Sequence, residues 1–314
     1  MQLKLDEKKI RKGRPIGLPY VGSKKKIAKK LIEIIKQNFG TDKTIYDLFG
    51  GGGAITLECK LQGLDVVYND IDPIPGLVIQ KVLSEDRKYL KTLICSREEF
   101  FQIRDKEDKS IDDHLKLLVN SFGNNSKHYL YSKEDSEFKY NLAKEIIENH
   151  GCFERYKQTE TYKRFVTKSG RDSRLQQLQH IAQVERIFGG GYTNQGLRIQ
   201  QLERLAHLEN MKVIPSLEIY NKDYKDFSNI KNSIIYLDPP YKDVNKVYRH
   251  NNLNYEEFYG WCKDMSKDNI VLISGYHMPD DFEIVYEFRK AKSTLQGGTH
   301  KSKYEKLFMV KDNH

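Results

Sequence analysis

Asp238-Pro239-Pro240-Tyr241 follows the apolar run Ser233-Ile234-Ile235-Tyr236-Leu237, and these residue types in this order suit chemistry on an aromatic amine. An exocyclic amine is a poor nucleophile because its lone pair is delocalised into the ring. A site that works on it must accept both amine hydrogens and leave the lone pair facing an electrophile. Prolines have no N–H, so a turn built on Pro239 and Pro240 presents acceptors: the Asp238 carboxylate and the Pro239 carbonyl. Tyr241 adds a ring face on which an extruded base can stack, a contact worth about 1–3 kcal/mol per base. No general base is conspicuous, and a direct in-line transfer needs little beyond positioning. A proline turn that merely closes a strand is the plainer reading. Against it, the motif sits at the carboxyl end of an apolar strand, where open α/β sheets put their active sites.

A second constellation is Asp47-Leu48-Phe49-Gly50-Gly51-Gly52-Gly53-Ala54, where a first strand turns into a first helix. Glycine there lets the backbone approach a nucleotide-like cofactor, or simply permits tight strand-to-helix packing. Tyr68-Asn69-Asp70 ends the next strand, where a carboxylate can take the two hydroxyls of a ribose. An acidic strand end is also an ordinary helix N-cap.

The elements that must position these residues alternate. Strands are expected at Thr44–Phe49 and Asp65–Asn69, with helices over Ala54–Leu61 and after Pro73. The pattern returns with strands at Leu217–Tyr220, Ser233–Leu237 and Ile270–Ser274, a helix over Tyr255–Met265, and final strands at Phe282–Phe288 and Lys306–Val310. Strands alternating with helices imply an α/β fold with a parallel sheet. A helix from Ser23 or Lys24 to Gly40 buries Ile27, Leu31, Ile34, Ile35 and Phe39. From 83 to 211 the pattern changes to charged and aromatic helical segments with polar loops. This divides the chain into 1–82 with 212–314, a catalytic domain, and 83–211, an inserted domain.

The 314 residues carry 53 Lys and Arg against 44 Asp and Glu, a net charge of +9 that favours a polyanionic partner, nucleic acid first. Ten of the residues from Lys8 to Lys30 are Lys or Arg and none is acidic, with Gly13, Pro15, Gly17 and Pro19 marking the first half as an irregular arm. Cys59, Cys95, Cys152 and Cys262 lie too far apart for a zinc or disulfide framework, so no metal is expected. No stretch approaches the roughly 20 apolar residues of a membrane span, and no secretory signal opens the chain. A cytoplasmic protein is expected.

Three blocks, LPYVGSKKKIAKKL from Leu18, DLFGGGGAITL from Asp47 and IYLDPPY from Ile235, resemble in type and order the Dam-like class of DNA adenine methyltransferases, most closely its phage-type members. The resemblance implies a Rossmann-like seven-stranded S-adenosylmethionine-dependent methyltransferase sheet with an inserted, mainly helical target-recognition domain. It also implies methyl transfer from S-adenosyl-L-methionine to the amino group of a flipped adenine in double-stranded DNA. Carried over by position, it makes Asp238, Pro239, Pro240 and Tyr241 catalytic and assigns Tyr20, Lys24 and Asp47 to the cofactor pocket. Phe49, Gly51 and Gly53 would surround the methionine moiety and Asp70 would hold the ribose hydroxyls. Asp223 would accept from the cofactor's adenine amine with Tyr224 beside the ring, Asp226 being the competing choice. Glu305 precedes the last strand, in the segment that resembles the family's close. Related enzymes act on RNA adenine or cytosine amines, and a descendant without activity would only bind DNA. The implied setting is a bacterial or phage-infected cell, with a cognate restriction endonuclease as a candidate partner. The recognition sequence, the base-reading residues and the oligomeric state stay open.

Overall fold

Short apolar runs separated by amphipathic stretches leave one economical arrangement: strands buried on both faces, with helices covering them. The computed structural model describes residues 1–150, 158–167, 194–210, 217–240, 253–288 and 304–311. Its seven strands are β1 (Ile45–Asp47), β2 (Val66–Asn69), β3 (Glu218–Tyr220), β4 (Ile234–Leu237), β5 (Ile270–Gly275), β6 (Phe282–Phe288) and β7 (Glu305–Val310). They form a single sheet in the order β3-β2-β1-β4-β5-β7-β6. Five strands, β3 through β5, are parallel. The parallel sheet expected from the sequence is thus mixed at one edge, where β7 runs antiparallel to both β5 and β6. The result is the α/β, Rossmann-like sheet that the motifs implied. Strand order reverses between β1 and β4, which opens a crevice at their carboxyl ends.

Successive residues of a strand face opposite sides, and β4 shows the period cleanly. Ile234 and Tyr236 join a core with helices α1 (Ala28–Phe39) and α2 (Ala54–Leu61). Ile235 and Leu237 join the opposite core, with Phe258, Trp261, Cys262 and Met265 of the helix Tyr255–Met265. In α1, Leu31, Ile34 and Ile35 are fully buried at the expected spacing. The helix begins later than the sequence suggested, because Lys24–Lys26 form a tighter 3₁₀ turn before it. Gly40 ends it with φ of 86°. The helix α3 (Pro73–Ser84) carries proline at its first position, where no N–H is missed.

Contacts divide the chain into Met1–Leu83 with His207–His314, and Ser84–Ala206. The second unit holds α4 (Arg87–Lys91), α5 (Arg97–Arg104), α6 (Ile111–Asn120), α7 (Ser136–Glu145), α8 (Glu160–Thr167) and most of α9 (Asn194–Asn210). Helix α6 starts on a reciprocal cap between Ser110 and Asp113. Its last turn is closed by Arg198 of α9, which donates from Nη1 to the carbonyls of Leu118, Val119 and Ser121 at 3.1, 2.8 and 2.6 Å. Burial pulls this guanidinium's pKa down to about 10. Gln195, fully buried, bonds to Asn120 and to the Cys95 carbonyl. The helix Tyr255–Met265 becomes α10. Among the described residues, no helix is long and apolar enough to cross a membrane, and no group of His, Cys, Asp or Glu could hold a metal ion. Cys59, Cys95 and Cys262 are free and buried, and Cys152 lies outside the described residues.

Candidate active site at the carboxyl edge of the sheet

A cavity of about 390 Å³ opens beyond the carboxyl ends of β1, β2 and β4. Its floor is the glycine turn between β1 and α2. Gly50 lies flat against Tyr68, and a Cβ there would fall 2.2 Å from the ring. Gly53 has φ of 69° and lies under Ile79, 2.7 Å from where a Cβ would be. Gly50 and Gly51 line the cavity, whereas Gly53 is not part of the wall and serves the packing of the turn. The Tyr68 hydroxyl donates to the Gly51 carbonyl at 2.8 Å. Asp70 completes the turn from β2: its Oδ2 accepts the Gly51 N–H at 2.8 Å and its Oδ1 the Asp72 N–H at 2.9 Å.

Asp47 also borders the cavity, yet it is 1% exposed and its Oδ2 accepts both the hydroxyl and the N–H of Thr56, at 2.6 and 3.2 Å. The carboxylate therefore fixes the first turn of α2. Burial, opposed by the Thr56 bonds and reinforced by the nearby charges of Asp238 and Asp70, pushes its pKa up to about 7. Tyr20 and Phe49 line the wall from either side of the glycines. Phe49 stacks on Tyr224 with ring centroids 6.0 Å apart, and Tyr224 meets Trp261 edge-on at 5.1 Å. Asp223 starts the turn Tyr224–Phe227 by accepting the Lys225 N–H at 2.9 Å. Of the two competing acids in this segment, Asp223 lines the cavity and Asp226 does not.

Asp238 enters the same cavity from the end of β4. Its Oδ1 pairs with Lys24 Nζ at 2.8 Å and accepts the Ser274 hydroxyl at 2.8 Å. Lys24 reaches a second acid, the buried Glu305 at the start of β7, at 3.4 Å. The Tyr255 hydroxyl, at the start of α10, donates to the Pro240 carbonyl at 2.5 Å and ties down the proline turn. Pro240 lines the cavity, whereas Pro239 is buried and does not. Tyr241 lies outside the described residues. The sequence reading assigned no role to Ser274, Tyr236 or Tyr255. Ser274 carried a signal nonetheless, since it closes the expected apolar strand Ile270–Ser274 next to where Asp238 follows its own.

The arrangement offers acceptor carboxylates at three strand ends, with aromatic faces beside a glycine turn. A family model of the D12 class N6 adenine-specific DNA methyltransferases matches residues 20–261. Among solved structures the chain is similar to the rRNA methyltransferase aviRa from Streptomyces viridochromogenes, at 10% identity and a TM-score of 0.35, with 98% of this chain and 93% of that chain covered. No curated protein matches.

Proposed function

The chain belongs to the D12 class of N6 adenine-specific DNA methyltransferases, and from that premise we propose how its residues divide the work. The cavity's chemistry fits S-adenosyl-L-methionine, a cation with a ribose diol and an adenine. A carboxylate carries about four acceptor sites, so Asp70, which holds the Gly51 and Asp72 N–H groups, suits the ribose hydroxyls as well. Tyr20, Phe49 and Gly51 border the methionine end, with Asp47 and Gly53 holding the turn in shape from behind. Asp223 accepts from the cofactor's adenine amine and Tyr224 flanks its ring. When bound, the cofactor supplies an electrophilic methyl group.

The target adenine is addressed by the proline turn. The Asp238 carboxylate, on the cavity wall, accepts one amine hydrogen and the Pro239 carbonyl, set behind that wall, is assigned the other, while Tyr241 stacks on the flipped base. As the amine nitrogen becomes cationic, the Asp238 charge stabilises it, a preorganised electrostatic effect whose removal costs about a hundred- to a thousandfold in rate. Lys24 lines the same cavity, and its ammonium, set between two carboxylates, also holds Asp238 in place. The observation that carries this reading is that Asp238 shares one cavity wall with Asp70 and Asp223, acceptors for target and cofactor together.

The unit Ser84–Ala206 is read as the target-recognition domain on double-stranded DNA, with a cognate restriction endonuclease as a candidate partner. Since the substrate is DNA, the enzyme works in the cytoplasm of a bacterial or phage-infected cell. Digestion and mass spectrometry of DNA from an expressing host tests the assignment. N6-methyladenine is expected with wild type and is absent with Asp238→Ala, whereas methylcytosine alone would refute the reading.

A further inference from the structure

Asp238 and Ser274 stand at the ends of neighbouring parallel strands. Leu237 is in register with Ile273, so the next residue of each strand falls side by side, on the face that Tyr236 shares. Ser274 is fully buried, and a buried hydroxyl needs partners. It has a single proton to give. Asp238 Oδ1 lies at 2.8 Å and the Leu237 carbonyl at 3.5 Å, so the shorter, charge-assisted bond takes it. The Tyr236 hydroxyl, 3.1 Å away, donates to Ser274 Oγ. Burial first, and then the neighbouring Asp238 charge, keep that phenol protonated by pushing its pKa well above the usual range, so it remains a donor. The bonds run in one direction, from Tyr236 to Ser274 to Asp238, and each polarises the next.

A carboxylate needs such a bond for a geometric reason. The terminal torsion of aspartate is broad, and a lysine on a flexible four-carbon stem fixes charge better than it fixes a plane. A hydroxyl on a buried strand fixes the plane. Among the described residues, the bonds to Asp238 from Lys24 and Ser274 both fall on Oδ1. We propose that Ser274, oriented by Tyr236, is a positioning residue for methyl transfer, holding the Asp238 carboxylate so that Oδ2 faces the target amine. This rests on the reading of Asp238 as the acceptor for that amine.

Single-turnover methylation of duplex DNA by the full chain, at saturating S-adenosyl-L-methionine, tests it. Ser274→Ala is expected to slow the transfer step about ten- to a hundredfold, the range for losing a hydrogen bond to a charged group. The Kd values for S-adenosylhomocysteine and for DNA should stay at wild type, which a general loosening of the fold would not allow. Tyr236→Phe keeps the ring in the core and should slow the step less. Because Tyr236 acts through Ser274, the double variant should be no slower than Ser274→Ala alone. A wild-type transfer rate in Ser274→Ala, or a loss confined to cofactor binding, would overturn the proposal, and additive losses would overturn the relay from Tyr236. Asp238→Ala measured in parallel separates the two levels: if it retained turnover, the reading beneath the proposal would fail and the proposal with it.

Discussion

Asp70 is the residue on which cofactor binding should depend most visibly. Asp70→Ala removes the acceptor for the ribose diol and leaves the Gly51 N–H without its partner, so calorimetry should show S-adenosyl-L-methionine binding weakened by about 1.5–3 kcal/mol. Asp47 predicts a pH effect. Its folded pKa of about 7 exceeds the ordinary carboxylate value, so the folded state holds the proton longer than the unfolded chain. Stability therefore falls as pH rises from about 4 to 7. Asp47→Asn should flatten that part of the pH–stability curve, as denaturant titration would show. An unchanged slope would count against a buried, proton-holding Asp47. The type and position of Asp70 and Asp238 were legible in the sequence because each ends a strand in a short motif, whereas Asp223 came only from the family resemblance, with Asp226 competing. The partnership of Lys24 with Asp238 and Glu305 was not legible, because it joins the start, middle and end of the chain, which local spacing cannot register.

Elements were read nearly to the residue wherever a local pattern sets them. The strand Phe282–Phe288 and the helices Ala54–Leu61 and Tyr255–Met265 have the bounds expected of them. Apolar runs and glycine stops lie within one turn or strand, so the sequence displays them directly. The insertion of β7 between β5 and β6 was hidden, since which strand neighbours which is decided by the packing of the whole sheet. That insertion is what brings Glu305 to the active edge: a strand running against the others presents its first residue where they present their last. Within the Ser84–Ala206 unit, Arg198 makes a prediction of the same scale. Arg198→Leu leaves the carbonyls of Leu118, Val119 and Ser121 short of a donor, and unsatisfied buried groups cost about 1–3 kcal/mol each. Hydrogen exchange should accelerate in the last turn of α6, with Arg198→Lys restoring part of the protection, because its ammonium also offers N–H donors from a single nitrogen.

At the scale of the whole molecule, a net charge of +9 predicts DNA affinity that falls linearly in log–log form with salt. The first half of the basic segment Lys8–Lys30 was expected to form an irregular arm, and the structure divides the segment's cations. Arg11 is committed to the buried Glu58 through bonds of 2.6 and 2.9 Å, and Lys24 to Asp238, whereas Lys12 and Arg14 are exposed. Neutralising Arg14 should flatten the salt slope by about 1. Arg11→Ala should instead lower the unfolding temperature, because it strands a buried carboxylate. A salt-independent affinity would refute the electrostatic reading. The pairing of β1 with β4 has a consequence for how each molecule is made. Ile45 waits for Ile234, and at roughly 5–20 residues per second a ribosome takes on the order of ten seconds or more to deliver it. Throughout that interval the nascent chain carries the glycine turn without Asp238 beside it, while all of Ser84–Ala206 emerges. Lys24 gains Asp238 first and Glu305 later still. On the proposed division of labour, a chain still short of β4 has the turn for a cofactor yet lacks the carboxylate that receives the target amine.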